Sequence, residues 1–583
     1  MTSAHFEPSS MNSPPRWPYC GHDATRDDPV GCRGIHVAGY TACLAHLAVT
    51  DRAAYLATLT PGAAIDHRGT PFTTDLLAQL LSGLNDPSTH KPRIGPARFD
   101  AAFFAGDASF DEAIFTGDAR FREVAFTGNA QFSNVIFSGL SLFNESAFTG
   151  DASFRGASFT GLAVFRGAKF TRRAWFDQAS FSSPGVTFNG ARFETESHPG
   201  TLHCDGGVAL DGAVFGAPVM VWIAARWVSC VRTQWVSTAT LYLRHAEVDL
   251  RNAVVEHPVT IAAHPTPFPL TGRRHETGLR DLDPGVRVTS VSGVDAAHLV
   301  LQDIDLSVCQ FAGAIHLDQL RVDGWCTFAG SPASAGWYRL FPWRWSRRRT
   351  LVEEHHWRAQ PGRAAIGVRG HGYPTPPGEH PWPFVRAWAR GWVPPPEGIT
   401  ALQPAALAAL YRQMRKSLED GKNEPDAADF YYGEMEMRRH DTTRPVAERA
   451  LLTAYWALSG YGLRATRALA WLVLAMSASV VALMLWGLPA KTPEPETTGR
   501  QTGPNITLTT DTPAPANPTG PWAERITGQR FEEALRVVIN SVVFRSSDQD
   551  LTTAGTYTEM ASRFTEPILL GLAALAIRGR VKR

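Results

Sequence analysis

The chain has 583 residues, 56 Lys+Arg against 55 Asp+Glu for a net charge of +1, and seven cysteines. That length excludes a single core, because domains run to about 150 residues. Balanced charge excludes the global basic footprint of a nucleic-acid binder, and seven thiols in so long a chain exclude a disulfide scaffold.

The opening "MTSAHFEPSS" has no basic start and no apolar run, so no cleavable signal peptide is expected and the N-terminal bulk is expected in the cytosol. Residues 1–60 read as a Cys/His module. Cys20, Cys32, Cys43 and His46 fall within a short Gly-rich stretch, and the closing C-x-x-H puts two ligands on one turn. Cys₃His is an ordinary structural zinc set. The first two spacings are long, His22 is an alternative ligand, and three unpaired thiols around a small fold is the bland alternative. Residues 61–96 read as a linker.

Phenylalanine then recurs at 99, 104, 110, 115, 121, 126, 132, 137, 143, 148, 154, 159, 165, 170, 176 and 181, in steps alternating 5 and 6. On a helix those steps put successive rings on different faces, and the Gly recurring in each unit would weaken it by about 1 kcal/mol every time. Two residues before each Phe stands a small residue, from Ala97 to Ala191. Small-x-Phe is a period-2 pair facing one way, which predicts very short strands pointing Ala and Phe inward. The Thr-Gly-Asp and Thr-Gly-Asn corners supply a conformationally permissive Gly between them. Stacked coils of such strands make a solenoid.

These residues resemble the pentapeptide-repeat family, whose unit is small-x-(Leu/Phe)-x-x. The resemblance covers 97–195 and implies a right-handed quadrilateral β-helix, with the sixth residue at alternate corners giving a coil of 22 residues. Some members of that family are thought to imitate DNA, which needs an acidic surface; ten Asp+Glu against nine Lys+Arg between Ala97 and Glu194 argue against it. A nucleic-acid partner or mimicry is therefore not expected. Residues 196–330 keep apolar residues near every fifth place and read as degenerate coils, interrupted around "HPTPFPLTGRRHETG".

Residues 331–404, rich in Trp, Arg and Pro, read as a cap or linker, or as a membrane-interface segment. Glu353, Glu354, His355 and His356 are adjacent in sequence, so on a helix they point different ways and make a poor chelate. Residues 405–462 read as a helical hairpin; "ADFYYGEMEMRR" resembles a juxtamembrane module found between pentapeptide repeats and channel-like membrane segments in bacterial proteins. At 463–489 the run Ala468–Leu488 has 21 uncharged residues, about 31 Å of helix, enough to span a bilayer. A Pro/Thr-rich exposed loop (490–530), an amphipathic helix and loop (531–556), a second span (557–578) and a basic tail (579–583) complete the chain.

The second span contains Glu559, Arg563 and Glu566. Glu559 and Arg563 are spaced to neutralise each other, while Glu566 lies near mid-membrane, where an ionisable group is a functional candidate. A tilted segment that leaves them near water is the alternative. Span, short helix and span resemble a two-helix potassium-channel pore in outline only, because "TTAGTYTE" lacks the Gly-Tyr-Gly of such filters.

The expectation is a mainly β protein, a right-handed quadrilateral β-helix followed by a helical hairpin and two transmembrane helices. It is expected to be a non-enzymatic scaffold or sensor of the bacterial inner membrane, with both ends cytoplasmic. The partners expected are the lipid bilayer and a protein partner or further copies of itself, and the one cofactor expected is structural zinc. The rival expectation is an oligomeric channel-like protein whose β-helix gates or assembles a degenerate pore.

Overall fold

The computed structural model describes residues 13–195, 197–268, 278–332, 347–360, 391–398, 400–490, 494–502, 504–543 and 549–581. They form two compact units. One holds residues 1–330 with 350–355 and 416–421; the other holds 331–349, 356–415 and 422–583.

The first unit is a β-solenoid, and it begins earlier than the Phe beat suggests. After the Cys/His module and helix α1 (Val49–Ala57), Ile65–Asp66 pairs in parallel with Ala97–Arg98, and Phe72 with Phe104. Residues 61–96, expected as a linker, therefore contain the first coil. His67 takes the place that Phe99 holds one coil on, its ring 6.3 Å from that of Phe99 and 5.8 Å from that of Phe72. Helix α2 (Thr74–Gly83) follows within the coil. Thr73 caps it by accepting the Leu76 N–H at 3.2 Å, and its buried Leu76, Leu77, Leu80 and Leu81 supply apolar contacts in the coil.

From Ala97 to Phe193 the strands are two or three residues long and lie on four walls, each pairing in parallel with the strand 22 or 23 residues on. Within a wall the phenylalanines stack at 4.8–5.1 Å, as in Phe110–Phe132–Phe154–Phe176 and Phe115–Phe137–Phe159–Phe181. Rings on adjacent walls meet edge-on, for example Phe121 and Phe132 at 5.6 Å and 82°, an arrangement that aromatic quadrupoles favour.

The two corner types differ, and not as the glycines suggested. Left-handed backbone falls at the narrow corners, on Ala101, Glu112, Glu123, Asn134 and Glu145. At the wide corners Gly106 has a positive φ, while Gly117, Gly128, Gly139, Gly150 and Gly161 do not. Gly is required there because a Cβ on Gly139 would lie 2.7 Å from the carbonyl carbon of Gly117 one coil away. The flanking residues stitch coils together: the Thr127 and Thr160 hydroxyls donate to the Phe104 and Phe137 carbonyls at 3.0 Å. The Asp107 carboxylate accepts the Asn129 N–H at 2.8 Å.

The expected degenerate coils at 196–330 are a regular change of cross-section. Strand Ser197–Cys204 pairs at its start with Trp175 and at its end with Ser180 and Phe181, so two walls merge into one. Long strands Val219–Ala224, Ala239–Arg244 and Val259–Ala263 continue the merged wall, and the coil shortens to 20 residues (Val208, Val228, Val248). An insertion then lengthens one coil, and its Phe268 and Leu279 pack on Ala224. In helix α3 (Val352–Arg358) the Glu353 carboxylate accepts the N–H groups of Phe311 and Ala312 at 2.6 and 2.9 Å, closing exposed donors of a late coil.

The second unit contains residues of helices α4 (Pro404–Asp420) and α5 (Glu424–His440), then α6 (Val446–Ser459), α7 (Ala465–Ala482, prolonged by a π-helical turn to Gly487), α8 (Gly528–Val542) and α9 (Thr553–Val581). The expected hairpin at 405–462 thus includes a third helix, and the expected loop at 490–530 contains an exposed two-stranded ribbon, Glu496–Thr502 with Asn505–Asp511. Most of the expected cap at 331–404 and the last two residues of the basic tail lie outside the described residues. The stretches Ala465–Gly487 and Thr553–Arg578 are long and apolar enough to cross a membrane, with mean hydropathy 2.3 and 1.4.

Packing in this unit follows its polar and apolar patterning. The buried Glu436 on α5 receives Arg358, Arg439, His440 and the Tyr461 hydroxyl at 2.7–3.3 Å. Burial alone would raise its pKa; the His440 hydrogen bond and the Arg439 and Arg358 charges outweigh burial and hold it well below the usual range. On the apolar side α8 lays Ala534, Val537 and Val538 against Val480, Leu483 and Met484 of the first long helix. The C-terminal carbonyls of that helix are covered by arginines. Arg530 donates to the carbonyls of Met484, Leu488 and Pro489 at 2.8–2.9 Å, and Arg525 to that of Leu485 at 3.0 Å. Gly487 and Gly555 let α7 and α9 touch there, a Cβ on Gly555 lying 2.9 Å from the Gly487 Cα.

Candidate metal centre and helix-pair carboxyl

The Cys/His module is held by backbone pairing between its two knuckles. Gly21 N–H donates to the Cys32 carbonyl at 2.8 Å, Cys32 N–H to the His22 carbonyl at 2.9 Å, and Cys20 N–H to the Gly34 carbonyl at 2.9 Å. This ladder sets Cys20 beside Cys32 despite the eleven residues between them. The turn after Cys43, closed by the His46 N–H to the Cys43 carbonyl at 3.0 Å, presents Cys43 and His46 from the other side.

The four ligand atoms of Cys20, Cys32, Cys43 and His46 lie within 4.8 Å of one another. Cys32 and Cys43 Sγ are 3.7 Å apart, and His46 Nδ1 is 3.5 Å from Cys20 Sγ and 3.4 Å from Cys43 Sγ. Bonds of about 2.3 Å to sulfur and 2.05 Å to nitrogen at a tetrahedral angle require S···S of about 3.8 Å and S···N of about 3.6 Å. The group is therefore sized to hold a tetrahedral metal.

Electrostatics favour one thiolate. The Cys43 thiol donates toward Cys32 and, aided by the Gly34 N–H, brings the Cys32 pKa down to about 5, while the same contact pushes Cys43 up. His22 is not a ligand in this arrangement: its ring stacks on His46 at 4.1 Å and its Nδ1 meets the Asp23 carboxylate at 3.0 Å. The residue missed by sequence reading is Gly34, where a Cβ would lie 2.8 Å from Cys43 Sγ. No spacing rule marks it.

The three ionisable residues of the second span separate into a pair and a singleton. Arg563 donates to Glu559 at 2.8 Å, one helical turn away. Glu566 is 0 % exposed and faces the Ser479 hydroxyl of α7, with no cation beside it among the described residues. It lines a furrow of about 420 Å³ between α7 and α9, whose walls include Ala475, Ala478, Ser479, Ala482 and Ser562. His355, part of the poor chelate, pairs instead with the Thr350 hydroxyl at 2.9 Å.

Among known proteins, residues 94–136, 132–176 and 154–197 match the family model described as pentapeptide repeats (9 copies). No curated protein and no solved structure matches the chain.

Proposed function

Residues 94–197 belong to the pentapeptide repeats, and we propose that this β-solenoid protein is a membrane-anchored, non-enzymatic interaction scaffold or sensor. The observation that carries the anchor is the outward face of the two long helices. Only 33 % and 28 % of their most apolar windows are buried within the chain, and Val473, Leu474, Phe564 and Ile568 are more than half exposed. A core helix of a water-soluble protein buries that surface; a bilayer covers it here. Arg464 and Arg467, stacked on Tyr432 and Trp456, fit the basic and aromatic flank of an inner boundary, which supports a cytoplasmic solenoid.

Alkaline carbonate washing of cell membranes tests the anchor: the chain stays in the pellet, and release of the intact chain into the supernatant overturns it.

The scaffold reading rests on the division of labour in the coils. Phenylalanine and alanine fill the interior, which leaves the unpatterned outward residues free to recognise a partner. At the N terminus the Cys20–Cys32–Cys43–His46 set binds a structural zinc ion. The purified chain is expected to carry about one equivalent of zinc, and Cys32→Ser to lose it; a metal-free wild type of unchanged stability sinks that assignment.

A second reading has its own support. Helix α8 packs back along the last turns of the first long helix, and α9 starts beside Gly487, so the segment between the spans doubles back as a pore helix does. In that reading the chain is an oligomeric, channel-like protein. A stable tetramer in detergent with ion flux in liposomes supports it, and a monomer without flux removes it.

A further inference from the structure

We infer that the furrow between α7 and α9 binds a lipophilic monovalent cation, an ammonium or phosphonium centre on an apolar body, with Glu566 as its counter-charge. The inference rests on the membrane reading above. It starts from an electrostatic imbalance. Helix α9 brings two carboxylates toward the middle of the pair, Glu559 and Glu566, and one arginine, which Glu559 engages at 2.8 Å.

Glu566 is 0 % exposed and meets only the neutral Ser479 hydroxyl across the furrow, and a buried carboxylate is costly unless something supplies the opposite charge. Among the described residues the wall around it holds no Lys, Arg or His. Its polar members are Ser479 across the furrow and Tyr557, Thr558, Ser562 and Thr565 on its own helix. Two of those are already engaged: the Ser562 hydroxyl donates to the Glu559 carbonyl at 2.9 Å and that of Thr558 to the Ala554 carbonyl at 2.8 Å.

The space beside Glu566 specifies the rest of the ligand. A second lobe of about 420 Å³ shares Ala475, Ala478 and Thr565 with the first and is walled by Trp471, Phe564 and Ile568. Alanine at 475, 478 and 482 keeps the α7 wall low where valine or leucine would fill it. Each lobe is of the size that holds a small organic molecule. A proton on Glu566 is the competing answer to the charge; the lobe beside it opens on Phe564 and Ile568, which face the lipid, so an apolar body can reach Glu566 from the bilayer. A second copy of the chain would fill the space, but along its spans Ala468–Leu488 is uncharged and Arg563 is paired with Glu559. An onium centre with an apolar body answers both, because aromatic faces and a carboxylate together attract such cations.

The test uses the full chain in lipid nanodiscs, with tetraphenylphosphonium as probe and triphenylphosphine oxide as a neutral control of similar shape. Equilibrium dialysis is expected to show saturable binding near one per chain, weakened at least tenfold by the isosteric Glu566→Gln and again by Ala478→Phe, which fills the furrow. Glu532→Gln on the exposed face of α8 is expected to leave it unchanged. Equal affinity for the neutral control, or undiminished binding by Glu566→Gln, overturns the assignment. Non-saturable uptake equal to that of empty nanodiscs does so too. Carbonate resistance is read on the cell membranes from which each variant is purified, so failure of the anchor is seen separately from failure of the site.

Discussion

Between Ala97 and Phe193 every ladder phenylalanine is at most 5 % exposed, whereas along α7 and α9 Val473, Phe564 and Ile568 are 60 % exposed or more. Both regions are built from apolar side chains at regular spacing, one with a period near 5.5 and the other with that of a helix. The solenoid buries its apolar residues against copies of themselves, so each coil completes the next and short two-residue strands suffice. The helix pair buries some of its apolar residues, such as Leu472, Leu483 and Leu569, but turns others outward, and it keeps Glu566 and small residues such as Ala573 and Ala576 buried. The contrast teaches that apolar periodicity fixes which residues share a face, while only the partner surface decides whether that face is a core or a contact with lipid.

Removing one ring from the ladder breaks the solenoid side of that contrast hardest. Phe132 stacks at 5.0 Å on both Phe110 and Phe154 and meets Phe121 and Phe143 edge-on, so Phe132→Ala leaves a cavity bounded by rigid rings. A loss of about 3–5 kcal/mol is expected, read from the urea midpoint of the solenoid transition. A loss under 1 kcal/mol would mean the stack relaxes and does not act as a packed core.

The end of the ladder offers a pH-dependent version. His67 stands in a Phe position, is 1 % exposed, and burial pulls its pKa down to about 4 from 6.5. The folded state therefore binds the proton less readily than the unfolded one, so stability is full above about 6.5 and falls as pH drops from there toward 4. The difference between 6.5 and about 4 corresponds to about 3 kcal/mol. His67→Phe is expected to abolish that acid-side loss and extend the ring stack by one. Parallel stability curves for the two proteins between pH 7 and 4 would show that His67 does not titrate against the fold.

How much of this was legible in the sequence follows from the same residue. The Phe beat announced four walls and a 22-residue coil because one ring recurs at every wall. The first coil stayed hidden because His67 replaces a Phe and α2 interrupts the spacing, and the merged wall after Ser197 was unreadable because a longer strand erases the corner without leaving a motif. The Cys/His set was legible in its C-x-x-H half, while Cys20 and Cys32 are joined by backbone pairing that spacing does not encode. Glu566 was found as a charge in an apolar run; that it faces a neutral Ser479 hydroxyl and a wall of alanines depends on another helix.

A smaller effect isolates the corners. Gly139→Ala places a methyl 2.7–2.8 Å from the backbone of Gly117, which cannot move without disturbing its own coil contacts. About 1–3 kcal/mol of destabilisation is expected, from steric crowding and not from φ. The matching change at a narrow corner, Glu123→Gly, relieves a left-handed residue and is expected to be neutral or mildly stabilising. Reversed signs at the two corners would mean that backbone angle, not close approach, selects the wide-corner glycine.

The least change to the fold is expected where the contrast turns outward. Val473 is 62 % exposed on α7, so Val473→Ser removes little intramolecular packing and should move the thermal midpoint of the detergent-solubilised chain by no more than a surface substitution does, within about 0.5 kcal/mol. The same substitution lowers the apolarity of the face assigned to lipid. A series at Val473, Leu474 and Val481 to Ser is therefore expected to leave folding in detergent intact while progressively reducing the carbonate-resistant fraction in cells. Loss of folding in detergent by single members of the series would identify these side chains as core, and the two regions would then obey one rule.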